Sequence, residues 1–221
     1  MPTNPGFQGK IFFHLLYLFH SSPLQGRKFQ NSDQSNSAKV ELDEHALIEQ
    51  AKQDPKRFGP IYEKYHEPIF RFVYARIGQL EASKDVTSSV FYKALANLKK
   101  YQVRGLSFSS WLYRIALNEC YDFFRSGKKH RTVALDDYMG VNLLEELQFG
   151  DSEQEVWMNS LPVLLESLEP KDLELIEMRF FEGKSFKEAA DILDITENNA
   201  KTRSYRLLEK MRKEVKKLVV K

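Results

Sequence analysis

Apolar residues recur at helical spacing from Leu42 almost to the end of the chain, and this periodicity limits the possible folds more than any other feature. In the segment FGPIYEKYHEPIFRFVYARI, for example, Ile61, Tyr65 and Ile69 follow one another at steps of four residues. Such steps place side chains on one face of an α-helix. No segment shows the alternation of apolar and polar residues that marks a half-buried strand. The sequence therefore predicts an all-α fold.

The helical segments form two groups on either side of an acidic stretch. Residues 131–160 carry one cationic and seven anionic side chains, a net charge of −6, and residues 196–221 carry nine cations and three anions, a net charge of +6. A basic C-terminal end favours an anionic partner. We predict two small helical domains joined by a flexible acidic linker. The predicted divisions are a disordered or non-native tail at 1–40, a first domain at 41–128, the linker at 129–155 and a second domain at 156–221.

The N-terminal segment KIFFHLLYLFH, residues 10–20, is apolar but too short to span a bilayer. It is followed by polar residues without a small-x-small cleavage site, so a signal peptide is not predicted. We interpret residues 1–40 as a tail, and a natural translation start near Val40 or Leu42 is a second hypothesis. The chain is expected to be cytoplasmic.

The sequence contains few of the residue patterns that indicate catalysis or metal binding. The chain has one cysteine, Cys120, which excludes an internal disulfide and every multi-cysteine metal site. Its five histidines show no paired spacing suited to a metal, and no glycine-rich phosphate loop or G-x-S-x-G motif occurs. We therefore predict no cofactor, no metal site and no catalytic residue, so the chain is not expected to be an enzyme.

The segment SFKEAADILDITENNAKTRSYRLLEKM contains the signals of a helix-turn-helix in order. Ser185 begins a capping box at the first helix, and the small Ala190 permits close crossing of a second helix. Asp194 stands at the turn, where an aspartate tolerates a left-handed backbone, and Thr196 is suited to cap the second helix. The order of cap, small residue, turn and basic face favours DNA binding over a generic helical hairpin.

The second helix of this motif presents amide, hydroxyl and cationic side chains outward. Arginine can pair with guanine, asparagine with adenine, and lysine or threonine with phosphate. The helix N-terminus adds partial positive charge. The predicted DNA-binding residues are Thr196, Asn198, Asn199, Lys201, Thr202, Arg203, Tyr205 and Arg206.

Three upstream strings, LIEQAKQDPKRFGPIYEKYHEPIFRFVYARIG, KDVTSSVFYKALANLKKY and FSSWLYRIALNECYDFFR, resemble the second conserved region of bacterial RNA polymerase sigma factors of the extracytoplasmic-function (ECF) type. The string LPVLLESLEPKDLELIEMRFFEGKSFKEAADILDITENNAKTRSYRLLEKMRKEV is similar to their fourth region. The resemblance covers about 42–128 and 160–217 in the family's order. FSSWLYRIALN is its most specific part.

This resemblance implies a sigma factor that binds core RNA polymerase, recognises promoter elements and promotes DNA opening. The helix-turn-helix would read the double-stranded −35 element, with Lys201, Arg203 and Arg206 in the major groove. The loop 99–107 and the following helix would bind the single-stranded −10 element and hold a flipped base. Trp111 is expected in the core, with Tyr113 the better-exposed aromatic. The −10 candidates are Lys100, Tyr101, Arg104, Ser107, Arg114, Asn118 and Arg125.

The resemblance also implies a polymerase-docking patch on the third helix and an anti-sigma factor as a further partner. The family pattern Asp-x-x-Gln-Glu-x-Phe corresponds here to Asp85, Ser88, Ser89 and Phe91. Two serines thus replace an amide and a carboxylate, which puts the strength of polymerase docking in question.

Three other functions remain as alternatives. A response-regulator-type activator has a similar C-terminal pattern, but residues 42–128 show none of the strands of a receiver domain. A decoy that binds polymerase or an anti-sigma factor without initiation activity is compatible with the serine substitutions. A helical enzyme lacks a plausible pair of titratable groups.

Overall fold

The computed structural model describes residues 34–102, 106–126, 143 and 151–219, and these residues form helices and connecting turns without strands. The predicted all-α fold is confirmed. Short 3₁₀ turns lie at Pro55–Phe58 and Leu98–Lys100, and a π-helical turn lies at Glu177–Phe181. The α-helices in the described residues are α1 (Gln34–Gln53), α2 (Gly59–Ile77), α3 (Leu80–Asn97), α4 (Phe108–Arg125), α5 (Asp151–Glu166), α6 (Pro170–Ile176), α7 (Phe186–Leu193) and α8 (Glu197–Val219).

Local sequence signals set the ends of α2 and α4. Asp54 accepts a hydrogen bond from the Lys56 backbone at 3.0 Å and so begins the turn before α2. Gly78 ends α2 in a left-handed conformation at φ 67°. The sequence predicts that Pro68 kinks this helix or splits it in two. Helix α2 continues through Pro68, so the split is wrong and the kink stays a prediction. Ser107 caps α4 by accepting a hydrogen bond from the Ser110 backbone at 3.1 Å.

Helix α1 begins at Gln34, earlier than the helical pattern that starts at Leu42. Residues 34–40 therefore lie in a helix, although the sequence assigns them to a tail, because neither glycine nor proline interrupts this stretch. The rest of that tail and nearly all of the predicted linker lie outside the described residues. In the described part of the chain, no helix is both long and apolar enough to cross a membrane.

A first apolar core lies among α2, α3 and α4. Phe72, Val90 and Leu112 are fully buried there, and the Phe72 and Tyr113 rings meet edge to face with centroids 5.1 Å apart. Helices α5, α6 and α8 bury a second core around Trp157, Leu165 and other aliphatic side chains. Both cores have the aliphatic and aromatic composition that the helical pattern predicts.

Helices α7 and α8, which the sequence predicts to form a helix-turn-helix, meet at a turn with the predicted local contacts. Ser185 and Glu188 make a reciprocal capping box at α7. Asp194 adopts the left-handed conformation at φ 57°, and among the described residues other than glycine it alone has a positive φ. Thr196 Oγ1 accepts a hydrogen bond from the Asn199 backbone at 3.2 Å. The turn therefore has the geometry expected from its sequence.

Helix α7 does not stand apart from the first core. Its Ala189, Ala190 and Ile192 are buried in the same apolar cluster as residues of α2, α3 and α4. The small alanines let α7 approach α4 closely. We call this packing the α4–α7 contact, and it joins helices from both sides of the predicted linker. The predicted domain boundaries remain predictions.

A buried ion pair lies beside this packing. The Arg76 guanidinium on α2 donates to Glu177 Oε2 at the start of the π-helical turn, and both side chains are less than a tenth exposed. The same guanidinium lies 3.9 Å from the centre of the Phe72 ring. Charges taken out of water need close partners, so the pair fixes the position of the π-helical turn against α2.

The left-handed turn residue generates a stability prediction. Asp194→Val should lower the free energy of unfolding by about 1–2 kcal/mol, because a β-branched residue is strained at positive φ. Asp194→Gly, which also loses the aspartate side chain, should remain within about 1 kcal/mol of wild type. Urea unfolding followed by circular dichroism measures both variants. If both variants lost the same free energy of unfolding, the cause would be the loss of the aspartate side-chain contacts, which would contradict the backbone explanation.

Candidate nucleic-acid interface

The N-terminal half of α8 presents most of the predicted DNA-binding residues to solvent. Asn198, Asn199 and Thr202 are exposed, and Lys201 is exposed and paired with Glu197 at 2.7 Å. Tyr205 is 54% exposed, and its ring lies near Phe186. Between these residues Ala200 and Ser204 are buried, so the polar side chains share the outer side of the helix. We call this exposed surface, which also includes Thr196 and Arg206, the α8 face.

Arg203 differs from its neighbours on the α8 face. It is partly buried, and its Nε donates to Asp172 Oδ1 on α6. Arg206 is exposed at the next turn. A DNA phosphate or base would have to compete with the Asp172 carboxylate for Arg203, whereas Arg206 has an open approach. The sequence pattern does not distinguish these two arginines, because Asp172 lies 31 residues away.

A cleft of about 600 Å³ opens between the C-terminal part of α3 and α4. We call it the α4 cleft. It brings together four of the predicted −10 residues, Lys100, Tyr101, Asn118 and Arg125. The remaining lining residues are Lys93, Asn97, Trp111, Ile115, Glu119, Tyr121 and Asp122. The volume and the mixture of amide, cationic and aromatic groups suit a nucleobase with its phosphate.

Ion pairs hold the polar side of the α4 cleft. Lys93 donates to Glu119 Oε1, and this hydrogen bond raises the lysine pKa. Arg125 donates to Asp122 Oδ1 one turn along α4. Lys100 and Asn118 are exposed. Sequence reasoning missed Lys93 and Asn97 as cleft residues, although their i, i+4 spacing places them on one side of α3.

The aromatic residues of the cleft differ from the sequence expectation. Tyr113 is 3% exposed, so the expectation that it is the better-exposed aromatic is wrong: its ring packs on Phe72 inside the first core. Trp111 is partly exposed: it packs against the first core and also lines the cleft. Its ring lies 5.0 Å from Tyr101, centroid to centroid.

Tyr101 is itself 4% exposed, and its hydroxyl donates to the Leu106 carbonyl oxygen at 3.0 Å. Burial, with the nearby Glu44 charge, raises the pKa of Tyr101 to about 12. Tyr101 therefore supports Trp111 from beneath and offers little free ring surface to a base. Ser107 caps α4 at the edge of this region, and Arg104 lies outside the described residues.

Arg114 points away from the α4 cleft, toward α7. Its guanidinium donates to the Asp191 carbonyl oxygen and lies 3.4 Å from Asp194 Oδ1 in the turn of the helix-turn-helix. A residue predicted to contact the −10 element is thus bound to the element predicted to read −35. No local sequence signal reveals this contact, because Asp191 and Asp194 lie 77 and 80 residues after Arg114 in the chain.

Four further polar groups meet at the α4–α7 contact. The Tyr113 hydroxyl donates to Glu182 Oε2 at 2.9 Å, and Lys184 Nζ donates to Ser109 Oγ at 3.1 Å. The Lys184 ammonium also lies 4.0 Å from the centre of the Tyr113 ring. Burial raises the pKa of Glu182 and lowers that of Lys184, so each group loses hydration in the closed contact.

The predicted polymerase-docking residues lie on α3. Asp85, Ser88 and Ser89 are exposed, and the two serine hydroxyls donate to carbonyl oxygens one turn earlier, at 2.9 and 3.0 Å. Phe91 is 5% exposed, because it packs against Tyr62, whose ring centroid is 4.8 Å away, and against His66. Tyr62 and the 74% exposed Tyr92 supply the accessible aromatic surface beside the serines.

Comparison with known proteins gives two matches to family models. Residues 61–130 match sigma-70 region 2, and residues 158–211 match sigma-70 region 4. Together the matches cover more than half of the chain and follow the same order as the sequence resemblance. They contain the α4 cleft and the α8 face respectively.

Curated relatives agree with these matches. The chain is 27% identical over 175 residues to the ECF RNA polymerase sigma factor BldN of Streptomyces coelicolor, covering 79% of this chain and 65% of that protein. It is 28% identical to the ECF sigma factor SigW of Bacillus subtilis, covering 77% of this chain and 96% of SigW. The chain therefore spans just under two thirds of BldN and nearly all of SigW.

A solved structure supports the fold. CnrH, determined in complex with the cytosolic domain of CnrY, is 19% identical and aligns with a TM-score of 0.51 over 75% of this chain and 94% of its own. At this identity the likeness concerns the helical architecture.

The raised pKa of Glu182 generates a prediction about pH. A carboxyl whose pKa is higher in the folded state favours folding below its unfolded pKa, and this contribution is lost as the pH rises through the folded pKa. Glu182→Gln keeps the shape without the charge. Its stability relative to wild type should therefore increase as the pH rises above about 4.5, the unshifted value.

Urea unfolding at several pH values from 4 to about 8 measures this difference. The matched control is Glu166→Gln, at an exposed position on α5. A difference between Glu182→Gln and wild type that is constant with pH would contradict the prediction.

Proposed function

The chain belongs to the sigma-70 family of RNA polymerase sigma factors, and on this premise we propose that it directs core RNA polymerase to promoters whose −35 element binds the α8 face and whose −10 element binds the α4 cleft. The family membership makes it a sigma factor for transcription initiation. The observation that carries the proposal is that each matched region holds one exposed polar surface suited to DNA, and that the two regions follow the family's order.

The α8 face is proposed to read double-stranded DNA. Asparagine and arginine side chains in the first turns of a helix can reach base edges in the major groove, while hydroxyl and ammonium groups contact phosphates. Asn198, Asn199 and Arg206 are therefore assigned to base contacts or the adjacent backbone, and Lys201 and Thr202 to phosphates. Arg203 joins them when it leaves Asp172.

The α4 cleft is proposed to hold an unpaired base of the −10 element. Trp111 offers a partly exposed ring for stacking, and Asn118 offers both a donor and an acceptor at the edge of the cleft. Lys100 and Arg125 supply positive charge for the adjacent phosphates. Arg104, Ser107 and Arg114 remain proposed contacts of the same strand.

Core polymerase is proposed to dock at the exposed side of α3. Asp85 supplies the charge there, and Ser88 and Ser89 supply hydroxyls that are already bonded to the helix backbone. Phe91 acts from below by holding Tyr62 in place. The weaker polar character of this patch favours one alternative, a decoy that occupies polymerase or an anti-sigma factor without initiating transcription.

The remaining proposals follow from the family. The protein is proposed to act without catalysis, as the specificity subunit of the polymerase, in the cytoplasm. An anti-sigma factor is its proposed regulatory partner. CnrH was solved in complex with the cytosolic domain of CnrY, which is compatible with such regulation.

The function is tested by run-off transcription with the full chain, bacterial core polymerase and genomic fragments. New discrete starts that depend on the chain are expected, and their upstream sequences give the −10 and −35 elements directly. Core polymerase alone is the control. A stable complex with core but no starts would favour the decoy, and absence of both would leave a free-standing DNA-binding protein.

The α8 face is tested with Arg206→Ala on a duplex that carries the mapped −35 element. Affinity should fall by about 1–3 kcal/mol, and the dependence on salt should weaken by about one counterion if Arg206 binds phosphate. Arg57→Ala, an exposed arginine on the turn before α2, is the matched control. Fluorescence anisotropy at two salt concentrations measures both, and an equal effect of the two substitutions would remove Arg206 from the interface.

A further inference from the structure

Two charged side chains in the second half of α1 contact aromatic residues near the α4 cleft. Glu44 Oε1 accepts a hydrogen bond from the Tyr65 hydroxyl of α2 and another from Lys64 Nζ at 2.6 Å. The Lys52 ammonium lies 5.6 Å from the centre of the Tyr101 ring. The side chains of Glu44 and Lys52 are each only 18% exposed, so both contacts are largely shielded from water.

The two contacted tyrosines belong to a group of four rings, which we call the aromatic cluster: Tyr65, Tyr101, Phe108 and Trp111. Phe108 lies at its centre and is 2% exposed. The Phe108 ring centroid is 5.5 Å from that of Tyr65 and 5.3 Å from that of Tyr101. The Trp111 centroid is 5.4 Å from that of Phe108. Rings at these separations attract each other in edge-to-face and tilted arrangements, so the orientation of each ring depends on its neighbours.

Trp111 is the member of the aromatic cluster that combines an exposed ring surface with a place in the α4 cleft. Tyr101 packs beneath it, and the Tyr101 hydroxyl donates to the Leu106 carbonyl oxygen, one residue before the Ser107 cap of α4. A base stacks well only on a ring whose face is open and correctly oriented. The orientation of Trp111 therefore affects how tightly the cleft can hold a base.

We propose that Glu44 and Lys52 of α1 are positioning residues for the −10 element, because through the aromatic cluster they hold the Trp111 ring in the orientation that stacks on the unpaired base. The proposal rests on the function proposed above for the α4 cleft. Neither charged side chain is expected to touch DNA. Both precede residues 61–130, which match sigma-70 region 2, so the family match assigns them no role.

Glu44 acts through the hydroxyl of Tyr65. Tyr65 is 8% exposed, and its burial and the hydrogen bond to Glu44 raise its pKa, so the hydroxyl stays protonated and donates. A buried hydroxyl without an acceptor costs free energy, so loss of the carboxylate favours a different position of the Tyr65 ring. Because that ring packs on Phe108, the change passes into the aromatic cluster. The Lys64 pair contributes less, since Lys64 is 45% exposed.

Lys52 acts on the second tyrosine of the aromatic cluster. Its ammonium donates to Glu49 Oε1 at 2.7 Å, and this hydrogen bond holds it over the Tyr101 ring. A cation over an aromatic face is attracted by the π-electrons of the ring. The Tyr101 ring is thus held by a cation at its face and by the Leu106 carbonyl oxygen at its hydroxyl.

The first test observes the Trp111 ring directly. The chain contains two tryptophans, and Trp157→Phe in the second core leaves Trp111 as the single fluorophore of this type. In this background Glu44→Ala should shift the Trp111 emission to longer wavelength and increase its quenching by acrylamide, because the ring becomes more accessible to water. Glu63→Ala removes the same group at an exposed position on α2 and should change neither. An unchanged spectrum in Glu44→Ala would overturn the proposal.

The second test measures the affinity of the full chain, with both tryptophans present, for a fluorescein-labelled single strand that carries the mapped −10 element. Glu44→Ala should raise Kd about three- to tenfold, as expected when the ring keeps its binding orientation in about a third to a tenth of the molecules. Glu44→Gln should stay within about twofold of wild type, because the amide oxygen can still accept the Tyr65 hydrogen bond. Failure of glutamine to restore binding would contradict this role.

A duplex that carries the −35 element is the control for folding. Its affinity should be the same for wild type and Glu44→Ala, because the α8 face does not include the aromatic cluster. An equal fall in affinity for both DNA molecules would show a general loss of structure and would overturn a specific positioning role.

A double variant tests the route through Tyr65. Tyr65→Phe removes the hydroxyl and should reproduce the loss of strand binding in Glu44→Ala. The double variant should lose no more than either single variant, since both substitutions remove one shared contact. Additive losses would show that Glu44 does not act through this hydroxyl.

Lys52 is tested by Lys52→Met, which keeps the apolar stem and removes the charge. Strand binding should weaken about two- to fivefold, in keeping with the usual strength of a cation–π contact. Lys56→Met, at an exposed position on the turn before α2, is the matched control for the lost positive charge. Equal effects of the two substitutions would remove Lys52 from the proposal.

The outcomes separate this role from the function proposed for the cleft. If the wild-type chain binds no single-stranded −10 DNA, the assignment of the α4 cleft fails, and the Trp111 emission still decides whether Glu44 positions the ring. If wild type binds the strand and Glu44→Ala binds it equally well, the positioning role fails while the −10 assignment stands.

Discussion

The buried pair of Arg76 and Glu177 joins helices that the sequence assigns to different domains, and the arrangement of the described chain depends on it. Each charge is stabilised in the interior only by the other and by its neighbours. Separating α2 from the π-helical turn would remove the partner of each charge and therefore cost free energy. The pair thus fixes where α7 lies against α4. Through α7 it also determines which side chains of α4 remain accessible.

Helix α4 has three sides, and each side lies in a different environment. One side, with Leu112 and Ala116, is buried in the first core; a second, with Asn118 and Trp111, lines the cleft; a third, with Arg114, meets α7. Because an α-helix turns by about 100° per residue, neighbouring positions fall into different surroundings. This explains how a single segment can carry the most specific family resemblance and also take part in a contact unrelated to DNA.

The sequence predicted the features that depend on nearby residues. The caps at Ser185 and Thr196 and the left-handed turn at Asp194 involve partners within a few positions, and all occur as expected. The helical periodicity likewise predicted the all-α fold. The exposed residues of α8 could be assigned because Ala200 and Leu207 mark its buried side.

The features that the sequence did not predict depend on partners far apart in the chain. Tyr113 was expected to be exposed, but it meets Glu182, 69 residues later. The sequence predicts Arg114 and Arg203 as DNA contacts. In the structure Arg114 is bound to the Asp191 carbonyl oxygen of α7, and Arg203 is bound to the Asp172 carboxylate of α6. Periodicity shows which side of a helix is apolar, but it contains no information about which other helix covers that side.

The π-helical turn also constrains how this protein can change its length during evolution. Residues Glu177–Phe181 contain one more residue per turn than an α-helix, with the Glu182 backbone N–H bonded to the Glu177 carbonyl oxygen at 2.9 Å. Loss of one residue here would rotate everything that follows by about 100°. Glu182 and α7 would then face away from α4. A single-codon deletion in this turn would therefore change the α4–α7 contact in one step.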